Sequence, residues 1–114
     1  MDEIIYRLMD QQSWQDVQAS GRFTGSKDDL RDGFIDFSTA ATVRETARRY
    51  YAHCEDLFLL SVEAACLGDD LKWELSRGGL LFPHLYAPLR ADQVITATLL
   101  GRTDQGHIFE AHIP

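Results

Sequence analysis

Leu57-Phe58-Leu59-Leu60-Ser61-Val62, "LFLLSV", is a continuous apolar run bounded by Glu55-Asp56 on one side and an alanine-rich turn on the other. It has no polar alternation, and its length suits a central strand buried on both faces. The rest of the chain is read outward from that strand.

Upstream, Thr42 and Glu45 match a Thr-x-x-Glu capping box, and Val43, Ala47, Tyr50 and Tyr51 recur at i, i+4, i+7 and i+8. This spacing predicts an amphipathic helix packing on a sheet. Before it, "GFIDFST" (33–39) reads as a short strand, with Ile35 and Phe37 on one face and Phe34, Asp36 and Ser38 on the other. "RFTGSKDDLRDG" is polar and glycine-punctuated, and predicts an exposed loop. An earlier helix is expected over "DQQSWQDVQASG". Ser13 would cap it with Asp16, Trp14 and Val17 would form its stripe, and Gly21 would close it in the left-handed conformation. Ile4, Ile5, Tyr6 and Leu8 give a first strand.

Downstream, Leu71-Lys72-Trp73-Glu74-Leu75-Ser76 alternates strictly. It predicts a half-buried strand with Leu71, Trp73 and Leu75 inward. Gly78-Gly79 makes a flexible joint, and Pro83 and Pro88 mark Leu80–Tyr86 as an irregular or edge strand. "VITATLL", a turn at "GRTDQG" and "HIFEAHI" predict a terminal hairpin over 94–113. The order is that of an α+β protein, a single domain over 1–114 with a mixed or split sheet and two main helices in its N-terminal half.

Eighteen acidic against eleven basic side chains give a formal charge of −7. A field of that sign repels phosphate backbones and anionic headgroups, which disfavours nucleic acid and membrane as main partners. A local basic pocket can still hold one small phosphate ligand. "MDEIIYRLMD" has no basic region followed by an apolar core, and no apolar run approaches the ~20 residues of a membrane helix. The cytoplasm is therefore the expectation. Cys54 and Cys66 are expected to be partly or fully buried free thiols. Only the adjacent His53 stands near either one, so no metal site is expected.

Two stretches carry candidate chemistry. Asp36 and Ser38 look out of the core together, with Thr39 following. In "WELSRGGLLFPHLY", Glu74 and Ser76 lie on the polar face, Arg77 and the glycine joint follow, and His84 and Tyr86 share a face. Glycines let backbone approach a ligand, and Arg77 can clamp a carboxylate or phosphate. The plainer reading makes Asp36 a solvated residue, Glu74–Arg77 an exposed ion pair and His84 a structural histidine.

The elements "IYRL", Trp14, "GRFTGS", "DGFIDFST", "ETARRYY", "LFLLSVEAACLGDDLKWELSRGG" and "FPHLYAPL" resemble, in order and spacing from Ile5 to Leu89, the bacterial domain of unknown function family 952. That family is similar, more remotely, to the ADP-ribosyltransferase superfamily, above all the tRNA 2′-phosphotransferases. The resemblance implies a cleft for NAD or an ADP-ribose-type ligand. Tyr6, Asp36, Ser38 and Thr39 would line one side, and Glu74, Ser76, Arg77, His84 and Tyr86 the other. It implies Glu74 and His84 as the catalytic pair, with Glu74 stabilising an oxocarbenium-like sugar. Relatives usually carry histidine at the position of Asp36. An ionised aspartate accepts from a ribose hydroxyl but repels phosphate, which points away from transfer and towards a binding module without turnover. A third reading is an interaction domain, in which the terminal hairpin edge docks a partner or a second copy.

Overall fold

The computed structural model describes residues 3–110. Strand β1 (Ile4–Asp10) leads into helix α1 (Gln11–Ser20), the short β2 (Arg22–Phe23), helix α2 (Lys27–Asp32), the short β3 (Ile35–Asp36) and helix α3 (Val43–Tyr50). Then come β4 (Leu57–Glu63), β5 (Leu71–Leu75), β6 (Leu81–Leu85), β7 (Leu89–Arg90), β8 (Val94–Leu99), β9 (Gly101–Thr103) and β10 (Gly106–Ile108). One sheet has the order β1-β4-β8 and the other β3-β6-β5, while β2 pairs with β7 and β9 with β10. Every described ladder is antiparallel.

Strand β4 lies where the apolar run predicts it, between two neighbours. Ile5, Met9, Leu60 and Val62 enter one buried cluster, and Tyr6, Leu8 and Leu57 the other. Register explains this division. Ile5 sits opposite Val62 and Leu8 opposite Leu59, so each cross-strand pair commits to one side. Both faces of β4 are covered, and no polar alternation is called for.

The two sheets meet through one bridge. The Tyr6 amide donates to Ser38 O and the Ser38 amide to Tyr6 O, each at 2.8 Å. Of the mixed or split sheet expected, the structure shows the split form, since no described ladder is parallel.

Several local expectations change. Asp10, not Ser13, caps α1, and its carboxylate accepts from the Ser13 amide. Gly21 closes that helix at φ 86, as expected. The predicted loop holds α2, because Ser26 and Asp29 form a reciprocal capping box whose acid is aspartate in place of the usual glutamate. Thr42 precedes α3 but makes no side-chain cap, and Glu45 instead engages Arg48 and Arg49. Val43 and Ala47 are buried, whereas Tyr50 is 65% exposed. Cys54 is half-buried and Cys66 exposed, which corrects the burial expected of the second thiol.

On the second sheet, β5 forms an edge. Leu75 is 73% exposed, so its alternation marks strand geometry without a buried face. Strand β6 is central, not an edge. Pro83 fits there because its carbonyl accepts from the Phe37 amide, so its missing N–H faces β3 and leaves the β5 ladder untouched. The terminal hairpin is also reassigned. β8 pairs with β4, and the hairpin proper is β9–β10, inside and beside the stretch read as a turn. Residues 111–113 of the expected hairpin lie outside the described residues.

Candidate functional site

The β3-β6-β5 sheet turns one polar face outward. Asp36 lies opposite His84, and His84 opposite Lys72, so the three share that face. Glu74 stands diagonally across from His84, and its Oε1 lies 2.7 Å from the His84 Nδ1. The Tyr86 hydroxyl donates to the same oxygen at 2.7 Å. On the other edge of the imidazole, Nε2 is 3.4 Å from Asp36 Oδ1. Phe34 stacks on the ring at 3.9 Å, and His84 is 4% exposed.

Neighbouring titrations follow from these contacts. Loss of hydration raises the Asp36 pKa, against the lowering pull of His84 and Arg7. The hydrogen bond from Tyr86, then that from His84, holds the Glu74 carboxyl below its usual range. The same bond raises the Tyr86 phenol.

Beside this cluster, between β1, α2, α3 and the start of the β5–β6 connection, lies a cleft of about 180 Å³. Its floor is built from β1. Tyr6 is buried, and among buried described side chains its hydroxyl alone finds no hydrogen-bond partner. Burial raises its pKa, so the group is a neutral phenol with a proton to donate. Arg7 pairs with Asp29 at 2.9 Å and donates to Asp36 O. Asp29 also accepts from the Ser26 and Asp36 amides, which ties the α2 cap to β3.

Across the cleft, Arg77 donates to Thr46 Oγ1 at 3.2 Å and lies over the Tyr50 and Phe82 rings. No described carboxylate forms an ion pair with it. The joint that delivers it depends on Gly78 and Gly79, at φ 69 and 73, a left-handed pair that side chains resist.

Of the residues named from sequence, Tyr6, Asp36, Ser38, Ser76 and Arg77 line this cleft. Glu74, His84 and Tyr86 form the adjoining hydrogen-bonded cluster, joined to the cleft through Asp36. Thr39 lines neither. Its amide and hydroxyl engage Thr42, and it shapes the entry to α3. Sequence reasoning missed Arg7, Asp29, Thr46 and Tyr50. The signal for the first was an arginine between Ile5 and Met9 on an apolar face, and for the second the Ser26-x-x-Asp29 box.

Two antiparallel sheets hinged at Tyr6–Ser38, with three helices and an arginine-flanked cleft, define a small α+β protein. The chain belongs to the family described as protein of unknown function (DUF952), whose profile matches residues 8–97. It is similar to protein CC0527 from Caulobacter crescentus. A crystal structure of that protein is 44% identical, covers 91% of each chain and gives a TM-score of 0.88. Its solution NMR structure is 44% identical, covers 91% of this chain and 90% of that one, and gives a TM-score of 0.82. No curated protein matches the chain. No helix among the described residues is long and apolar enough to cross a membrane.

Proposed function

We propose that the cleft above Tyr6 binds a ribose-bearing ligand of the NAD or ADP-ribose type, as the likeness to ADP-ribosyltransferases implies, and that it does so without turnover. The observation that carries this reading is the Tyr6 hydroxyl, unpartnered among the described residues, together with an Arg77 that forms an ion pair with no described carboxylate. A buried donor left unmade costs about 1–3 kcal/mol, and a ligand oxygen recovers that cost. Arg77 supplies a fork for phosphate, and Asp36 accepts from a sugar hydroxyl.

Size limits what is enclosed. Pockets that engulf whole ligands run from about 300 to 1,000 Å³, so about 180 Å³ takes one ring-sized group and leaves the rest of a dinucleotide outside. Turnover would need a carboxylate against the sugar. Glu74, which the resemblance gives that role, is committed to His84 and Tyr86 and does not line the cleft. This favours the binding module over the transferase.

Calorimetry with ADP-ribose and NAD tests the reading. Arg77→Gln should weaken binding at least about tenfold, a loss of ~1.4 kcal/mol. Tyr6→Phe should weaken binding while leaving the free protein as stable or more stable, because it removes an orphaned hydroxyl. The reading fails if neither ligand binds at millimolar concentration, or if both variants bind as the parent does.

A further inference from the structure

A second cavity, about 740 Å³, opens between α3 and the β9–β10 hairpin, and none of the residues discussed so far as site candidates lines it. Arg44, Arg48, Arg102, His53 and His107 line it, and Asp104 is the sole carboxylate among its described lining residues. In a chain of formal charge −7 such a gathering runs against the overall field.

The way the arginines are held matters more than their number. Arg44 donates to Glu110 O at 2.8 Å, and Arg102 donates to Ala52 O through Nε at 3.1 Å and through a terminal nitrogen at 2.8 Å. Carbonyl oxygens orient a guanidinium without cancelling its charge. Arg102 also pairs with Glu55 at 3.7 Å, whose side chain is 86% exposed and well solvated. Arg48 engages both oxygens of Glu45, through Nε at 3.0 Å and a terminal nitrogen at 2.5 Å, and Arg49 contacts the second oxygen at 2.7 Å, so two guanidinium groups share one carboxylate and one positive charge is left over. The His107 Nε2 is 2.6 Å from Cys54 O, which fixes that ring against the wall, and Phe109 lies under Arg44 at 5.4 Å. Ala47, Ala52 and Phe109 add an apolar strip beside the cations.

From this juxtaposition we infer that the cavity is an anion site for a small phosphate ester, with the phosphate on Arg48 and Arg102 and the organic body against Ala47, Ala52 and Phe109. The volume falls within the range of about 300–1,000 Å³ typical of sites for such molecules. Planar, pre-oriented guanidinium groups suit a phosphate's geometry. The inference is independent of the Tyr6 cleft.

The test is an NMR titration of the isotope-labelled full chain with inorganic pyrophosphate, at constant ionic strength. Amide shifts confined to 44–53 and 102–107 are expected. Arg48→Gln and Arg102→Gln should each raise Kd at least about tenfold. Arg90→Gln, on β7 outside the cavity, should leave it unchanged. Among the described residues Arg48 is bonded to Glu45 on its own helix and to no hairpin residue, so its variant remains informative if Arg102→Gln disturbs the fold. The inference is overturned if pyrophosphate produces no saturable shift at millimolar concentration. It is overturned equally if Arg77→Gln abolishes binding while both cavity variants retain it, since the anion would then sit in the first cleft.

Discussion

Arg7 and Asp29 pair at 2.9 Å with side chains 8% and 5% exposed, and three segments depend on that contact. Arg7 comes from β1, Asp29 from α2, and both reach the backbone of Asp36 in β3. Placing two charges out of water is costly, and removing one partner leaves the other stranded. Arg7→Met should therefore cost about 3 kcal/mol or more by urea denaturation. The double variant Arg7→Met/Asp29→Leu should lose clearly less than the sum of the two single changes. Additive losses, or a loss under ~1 kcal/mol for Arg7→Met, would show that the pair does not hold these segments together. At this scale the sequence was partly legible. Asp36, Ser38 and Arg77 stand out by type and position, whereas Arg7 carries no mark of its own within the first strand. Its burial depends on Asp29, twenty-two positions away.

Helix α2 shows how a short element escapes pattern reading. Six residues give no full apolar period, and "KDDLRD" is polar throughout except for Leu30, which is exposed. The helix stands on its caps. Ser26 accepts from the Asp29 amide, the Asp29 carboxylate accepts from the Ser26 amide, and Gly33 ends it at φ 90. Ser26→Ala should destabilise the protein by about 1 kcal/mol, whereas Ser26→Asp, which keeps an acceptor, should restore most of it. Equal stability of Ser26→Ala and the parent in a thermal melt would discount the cap. Strand β6 errs in the other direction. Proline usually signals an edge, yet Pro83 sits mid-sheet because β3, the neighbour on its N–H side, is only two residues long. Strand length on the far side of a sheet is not written in the segment itself.

At the level of the whole molecule, the two sheets share a single backbone bridge among the described residues, whereas β4 is bonded on both edges and buried on both faces. Opening free energies should follow that contrast. Native-state hydrogen exchange is expected to find the slowest amides in β4, at the global stability. The β9–β10 amides, in an exposed two-stranded hairpin, should exchange orders of magnitude faster. Hairpin amides as protected as those of β4 would contradict this picture and show the hairpin to be part of the cooperative core.

What the chain alone determined was the set of elements with strong local signals. The unbroken apolar run made β4, the Val43–Ala47 spacing made α3, Gly21 closed α1, and period-2 alternation decided which polar groups of β3, β5 and β6 share a face. Local sterics and side-chain periodicity carry that information within a few residues. Partnership between distant segments was decided only by the tertiary structure. β8 pairs with β4 and not with the chain that follows it, Pro83 reached a central strand, and the Glu74 carboxylate went to His84 and Tyr86 and not to the cleft. Each is a choice among alternatives of similar local energy, settled by which apolar faces cover one another and which buried polar groups find a partner.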